Sequence, residues 1–380
     1  MNEHAGNADT ELPTGTKKVL FVSGLCAEPV NGCNTRAFWT IRSLCESGHA
    51  VTHAHMRERT NTPKIDALSD EFTSFRCCHL KDLQHSDFDI IWISCLWAVE
   101  VIQIALNFVN KVRATNKNIK IITDLSDVLA DDYEFRFPPQ DPKHKRVAHL
   151  ESTLLRIADV AIWVSEKERI KGLDRYQLDP EKTMVIPSYH PFHPELASRG
   201  FSQRWQHICI AGTTHEHNIR ALGVGLNRIW PRILSHLPTS EIHLFGNGTE
   251  KINIEPGQIK NLKILGRVND FQEQLSNYRV HLIPTVSGVG VKTKLLDSLA
   301  VGTPVAGTLK SIEGIAFASN QAAFASSSLD EIANRCIRLL SDQSAWEEAN
   351  AEAVSVASHY ADLALFHGKI NSALVRIGIA

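Results

Sequence analysis

Gly288, Gly290, Lys292, Lys294 and Asp297 sit close together in the stretch SGVGVKTKLLDSLAVGTPVAGT, which begins at Ser287. Glycines let a backbone turn tightly and bring its N–H groups up to a ligand. Two lysines at the mouth of a helix add full charges to an end that is already partly positive. That arrangement is unfavourable alone, and an anion reverses the sign. A diphosphate meets the requirement. Asp297 follows Lys294 by three residues and so shares its helical face. A carboxylate there would repel phosphate but can accept hydrogen bonds from ribose hydroxyls. The group therefore suits a nucleoside diphosphate, although glycines after a strand and lysines on a helix are also ordinary surface in α/β proteins. It is not a Walker A loop, because Val291 precedes Lys292. Nor is it G-x-G-x-x-G, because Thr293 occupies the third glycine site.

Elements of two kinds must position these residues. Short apolar runs alternate with longer amphipathic ones. The strands expected in the first half are VLFVS (19–23), AVTHAHM (50–56), DIIWISCL (89–96), IKIITDL (119–125) and VAIWVS (160–165). Helices are expected at 35–47, stopping at Gly48, and at 99–116. TMVIPSYHPFHPELASRG (183–200) breaks the rhythm with three prolines and reads as a linker. The pattern then restarts with HICIAG (207–212), a helix over 218–237 that Pro231 would kink or split, EIHLFG (241–246), LKILG (262–266) and YRVHLIP (278–284). The expected fold is α/β, with two doubly wound Rossmann-like domains. The expected division is a disordered tail over 1–16, an acceptor-side domain over 17–189, and a nucleotide-sugar domain over 190–355. A helical end over 356–380 would cross back to the first domain. In such sheets ligands bind beyond the carboxyl ends of the strands, so site residues should follow strands.

The bulk numbers narrow the function class. The 380 residues are 43% hydrophobic and 22% charged, with a formal net charge of -2. That is the balance of a soluble globular protein, and no global field draws it to nucleic acid. Any attraction for an anion must be local. No apolar run reaches the length of a membrane span. Eight scattered cysteines without a C-x-x-C pair suit a reducing cytoplasm.

The order G-x-G-x-K-x-K-x-L-[DE]-x-L-A-x-G-x-P-V-x-x-T-x-x-x-x-E-G, spanning Gly288 to Gly314, resembles the donor half of retaining glycosyltransferases of family four, with the GT-B fold. IAGTTHEHNIRAL (210–222) and LGRVND (265–270) resemble further parts of that domain. HLESTLLRIADVAIWVSEKE (149–168), VIPSYHP (185–191) and PVNGCNTRAFWTIRSLCESGHAVT (29–52) resemble parts of the acceptor domain. The resemblance implies transfer of a sugar from a nucleoside diphosphate donor with retention at the anomeric carbon. It implies no DxD-type metal site, so neither a metal nor a cofactor beyond the donor itself is expected. Gly288, Val289 and Gly290 match the phosphate loop, and Lys292 and Lys294 the basic pair. Asp297 matches the ribose carboxylate, usually a Glu. Gly212 and Thr213 follow the first donor-domain strand, where many members have Arg, and Asn218 sits near a usual lysine position. Gly266, Arg267 and Val268 match the segment that passes the nucleotide base. Many members carry Glu where position 289 is Val, and Gly32-Cys33 stands where a double glycine is common.

Lys292, Lys294, Asp297 and Asp127 form the candidate catalytic set. Asp127 would orient an acceptor hydroxyl, or else it or Asp124 caps the segment that follows. Gly24, Asn31–Gly32, Trp97 and Asp124 are further acceptor-side candidates, each after a strand. Asp87-Phe88-Asp89 spells DxD but precedes a strand and reads as a turn. His215-Glu216-His217 and the pair His190 and His193 hint at a metal but read as exposed loop histidines, with a donor-facing His215 or His217 as the alternative, since these follow a strand of the donor domain. Cys77-Cys78-His79 reads as a buried strand end, and no Cys or His set converges in sequence on a zinc pattern. The basic run Lys143–Arg146 reads as a solvated helix start, with peripheral membrane contact as the alternative. Two other functions compete with the transferase: a nucleotide-sugar epimerase on the same plan, and a non-catalytic sugar-nucleotide-binding partner subunit.

Overall fold

The computed structural model describes residues 15–29, 32–57, 62–83, 87–255, 257–315 and 324–379. Most of the expected tail and the candidate Asn31 lie outside them. The chain has the expected α/β architecture of two Rossmann-like sheets. By its internal contacts it falls into two compact units. One comprises Met1–Leu125, Leu150–Ala161 and His367–Ala380, and the other Ser126–His149 and Ile162–Phe366.

The first sheet is built from β1 (Lys18–Ser23), β2 (Ala50–His55), β3 (Phe75–His79), β4 (Ile90–Ser94), β5 (Lys120–Leu125), β6 (Val160–Trp163) and β7 (Thr183–Val185). Their order is β3-β2-β1-β4-β5-β6-β7, with β1 parallel to β2 and β4, β2 to β3, and β4 to β5. Val19 to Val22 and Ile90 to Ile93 are fully buried, as continuous apolar runs require when both faces of a parallel sheet are covered.

The second sheet contains β8 (Trp205–Ala211), β9 (Ile242–Phe245), β10 (Leu262–Gly266), β11 (Tyr278–Ile283), β12 (Val305–Thr308) and β13 (Ala325–Ser326). It is parallel throughout, in the order β10-β9-β8-β11-β12-β13. The short strands β7, β12 and β13 carry too few alternating or apolar residues to stand out in the sequence. Each sheet thus reverses its strand order once, between β1 and β4 in the first and between β8 and β11 in the second. Those are the topological switch points at which such sheets open a crevice for ligands.

Three expectations are refined. The helix carrying Pro231 runs from Glu216 to His236, but a π-helical segment, Gly225–Ile229, separates its α-helical parts. Pro231 lies two residues after the π-helical segment, near the start of the last α-helical part. Gly225 is small because a Cβ there would stand 2.7 Å from Ile210 Cδ1. The helical end is three helices, Leu329–Ser341, Gln343–Tyr360 and Leu363–Arg376, and the Asp342 carboxylate caps the second of them. The linker contains β7 and is tied down within its unit: His190 N–H donates to Tyr360 O and His193 N–H to Ala300 O. Beyond it, the buried Arg204 guanidinium donates to Leu196 O, Val301 O and Thr303 Oγ1. Burial lowers its pKa to about 9. Among the described residues, no helix is long and apolar enough to cross a membrane.

Candidate active site

Two strand-to-loop-to-helix passages meet at the second switch point. After β8 the chain turns through Gly212, whose φ is +154°, and Thr213 into the helix Glu216–Val224. After β11 it turns through Gly288 and Gly290, with φ of +102° and +66°, into the helix Thr293–Ala300. Lys292 is that helix's N-cap, and Lys294 lies in its first turn. Among the described residues, the backbone N–H groups of Gly288, Val289, Gly290 and Val291 have no acceptor.

Neither lysine pairs with a carboxylate among the described residues. Lys292 Nζ donates to the carbonyl oxygens of Val289 and Gly290, at 2.8 and 2.7 Å. Lys294 Nζ donates to Asn218 Oδ1 at 2.7 Å. Burial lowers the pKa of Lys292 to about 8, against the pull of Asp127. Burial, with Lys292 adding to it, lowers that of Lys294 to about 8. Two desolvated ammonium groups resting on neutral oxygens would be better satisfied by an anion, because a phosphate oxygen makes stronger, charge-assisted hydrogen bonds than a carbonyl does.

Asp127 belongs to this group. A Cβ on Gly290 would stand 2.5 Å from Asp127 Oδ1, so the loop and the carboxylate are in direct contact. Gly290 is needed twice over, for its left-handed φ and for this close approach. Burial and the neighbouring Glu168 raise the Asp127 pKa to about 6, opposed by Lys292. Asp127 does not cap the helix Leu129–Arg136, whose N-cap is Val128 with no side-chain cap bond. Asp124 is neither a cap nor an acceptor-facing group. It is fully buried and paired with Arg36, NH2 to Oδ1 at 2.8 Å. A charge so deep must be paired, and the apolar strand ITDL gave no sign of its partner.

Asp297, in the helix Thr293–Ala300, accepts at Oδ1 from His190 Nε2 (3.1 Å) and Gln272 Nε2 (3.3 Å). Its Oδ2 has no donor among the described residues. Gly212 N–H donates to Phe245 O, and Thr213 offers both its carbonyl and Oγ1 to Asn218 Nδ2. A Cβ on Gly246 would stand 1.9 Å from Gly212 O, which is how closely the ends of β8 and β9 approach. Gly266 accepts from Gly246 N–H, Arg267 is exposed, and Val268 is half-buried against the Phe245 and Tyr278 cluster. So the loops after β8 and β11 converge. Arg267 and Val268 stand beyond β10, two strands from β8.

Two further features were not legible in the sequence. His217 is half-buried and not a free loop histidine: its Nε2 lies 2.7 Å from Asp132 Oδ1 and its Nδ1 2.8 Å from Ser287 Oγ. Burial works against ionisation of Asp132, but the hydrogen bonds from His217 and Arg136 outweigh it and hold the carboxyl below its ordinary range. The His217 ring lies 3.5 Å from where a Cβ on Gly288 would be, so it props the glycine loop from below. The second feature is His281 in β11. Ala211 N–H donates to its Nε2 at 3.1 Å, and its Nδ1 bonds Ser298 Oγ. Burial, then Lys294, lowers its pKa to about 3, so the ring is neutral and ties β8 to the lysine helix. The only sequence signal for either was a histidine in or just after an apolar strand.

Residues 206–342 match the family described as Glycosyl transferases group 1. The structure resembles Anabaena Alr3699/HepE, solved in complex with UDP and glucose, with a TM-score of 0.67 and 12% identity over 94% of this chain and 99% of that one. It resembles WaaG, a glycosyltransferase involved in lipopolysaccharide biosynthesis, with a TM-score of 0.62 and 13% identity over 94% and 99%. It also resembles S. aureus TarM, solved as a point mutant with fondaparinux, alpha-GlcNAc-glycerol and UDP, with a TM-score of 0.68 and 9% identity over 96% and 100%. A search of the curated proteins by sequence found no match. The fold is thus the GT-B fold, and the segment that matches the group 1 glycosyltransferases is the one that carries the loops after β8 and β11.

Proposed function

We propose that the chain transfers a sugar from a nucleoside diphosphate donor to an acceptor with retention at the anomeric carbon, and that the second switch point holds the donor diphosphate. The observation that carries this is the pair Lys292 and Lys294, without a carboxylate partner, at the mouth of the helix Thr293–Ala300 beside a run of N–H groups without acceptors. UDP bound to HepE and to TarM supports a nucleotide of that kind.

Cleaving the sugar–phosphate bond leaves negative charge on the diphosphate. Lysines and a helix N-terminus stabilise that charge as it grows, and they are in place before the reaction begins. The sugar passes through an oxocarbenium-like state, as in glycoside hydrolysis. On this reading Gly288 and Gly290 bring the backbone up to the phosphates. Asp297 offers Oδ2 to a ribose hydroxyl, while His190 and Gln272 hold it by Oδ1. Asp127, with a pKa near 6 and in contact with Gly290, orients an acceptor hydroxyl. The departing phosphate takes the acceptor's proton, so no separate protein base is needed. Neither a metal nor a cofactor enters the scheme.

The test is a panel of nucleotide sugars with product analysis. Nucleoside diphosphate should appear in proportion to glycosylated acceptor, and NMR of the product should show the donor's anomeric configuration. An altered sugar still on its nucleotide would instead mark an epimerase. Thermal stabilisation by donor without turnover would mark a binding subunit, and an inverted product would end the retaining mechanism.

A further inference from the structure

A second group of chemistry-bearing side chains lies within the first unit. Cys26, His53 and Cys77 each present one ligand atom, all within 4.8 Å of one another. They are far apart in sequence, and the strand register brings them together. His53 in β2 is the register partner of Cys77 in β3, so the two side chains share a face of the sheet. Cys26 returns over that face from the loop after β1. Cys78, the next residue along β3, points to the other face.

The distances fit a tetrahedral ion. Zinc bonds of about 2.3 Å to sulfur and about 2.0–2.1 Å to nitrogen place tetrahedral S···S pairs about 3.8 Å apart and S···N pairs about 3.6 Å apart. The observed Cys26 Sγ···Cys77 Sγ distance is 4.0 Å, and Cys77 Sγ···His53 Nδ1 is 3.5 Å. The tautomer of His53 is set from behind. Ser23 Oγ donates its one proton to Leu25 O, so it must accept from His53 Nε2, 2.8 Å away. Nδ1 is then left with its lone pair facing Cys77. A ligand histidine held through its other nitrogen is the usual second layer of a metal site. His53 is fully buried, Cys26 nearly so and Cys77 half-buried. His207, Glu241 and His243 form another such group in the second unit, but Lys263 already supplies a cation to Glu241 at 2.7 Å.

We infer that Cys26, His53 and Cys77 bind a thiophilic divalent ion, zinc by the softness of the donors, with water as the fourth ligand. Each zinc bound displaces the two thiol protons to solvent, and no electron is transferred. The glycosyltransfer site contains none of these residues, so the two proposals stand or fall separately.

The experiment is a titration of the reduced, metal-stripped full chain with Co²⁺ as a spectroscopic probe, followed by displacement with Zn²⁺. One equivalent should give a thiolate-to-cobalt charge-transfer band with tetrahedral visible absorption, lost on adding zinc. Cys77→Ser should lose the band, Cys78→Ser should keep it, and Ser23→Ala should weaken zinc affinity by about 10–100-fold. Should Cys77→Ser fail to fold, alkylation of the wild-type chain mapped by mass spectrometry reads the same point. Zinc should protect Cys77 while Cys78 stays reactive. A cobalt spectrum without thiolate character, a band that survives in Cys77→Ser, or equal labelling of Cys77 with and without zinc would each overturn the assignment.

Discussion

The two sheets reverse strand order at the same point of the same topology, yet the loops there differ in chemistry. At the second switch point, between β8 and β11, the loops carry Gly212, Gly288 and Gly290 with two lysines that have no carboxylate partner. At the first, between β1 and β4, Gly24 packs so closely that a Cβ would stand 2.9 Å from Cys95 O, Trp97 Nε1 and Val101 Cγ1. Cys95 itself has a φ of +56° and donates its thiol to Cys33 O, and Arg57 stacks on Trp97 at 4.2 Å. One crevice presents desolvated cations. The other presents an aromatic ring and a cation already engaged with it. The fold determines where a ligand can sit, and a few side chains decide which ligand that is.

Substitutions can break that contrast, and the largest effect should come from Lys294→Ala. Removing one donor aimed at developing charge costs about 10²–10³ in turnover. The assay is nucleoside diphosphate release at saturating donor, and wild-type kinetics would count against the assignment. The glycine pair comes next. Gly290→Ala puts a methyl into Asp127 and strains a left-handed residue, so it should lose donor binding and about 1–3 kcal/mol of stability. Gly24→Ala should cost a similar amount through overpacking, about 1–3 kcal/mol by urea denaturation, and leave donor affinity unchanged. Equal loss of donor affinity in both variants would erase the difference between the crevices. Asp297→Asn should have the smallest effect, a rise in the donor Michaelis constant with turnover nearly kept, since the single amide oxygen stays with His190 and Gln272 and the NH2 left facing the ribose can only donate to a hydroxyl oxygen. An unchanged constant would remove Asp297 from ribose binding.

What was legible in the sequence follows the same division. The buried strands of both sheets were readable because they are continuously apolar, and the glycine–lysine turn because its residue types are costly without a purpose. What escaped depended on contacts distant in sequence. His217 and Asp132 are 85 residues apart, and only the folded unit brings them together under Gly288. Asp124 looked like a cap until Arg36, 88 residues upstream, proved to be its partner. Cys77 sits beside His53 only through strand register, which no spacing rule reveals. Short strands such as β13, with two residues, have no periodicity to detect.

The central claim is electrostatic, and protons report on it. Lys292 and Lys294, with pKa values of about 8, are only partly protonated at pH 8. A bound diphosphate favours the charged form and raises both pKa values, so binding must take up protons there, and affinity must fall as pH rises through 8. Calorimetric titration of UDP at pH 8, in buffers of different ionisation enthalpy, measures the uptake directly. The account predicts net proton uptake in the wild-type chain and a clear reduction in Lys294→Met. Binding with no proton uptake, or the same uptake and affinity in the variant, would contradict it.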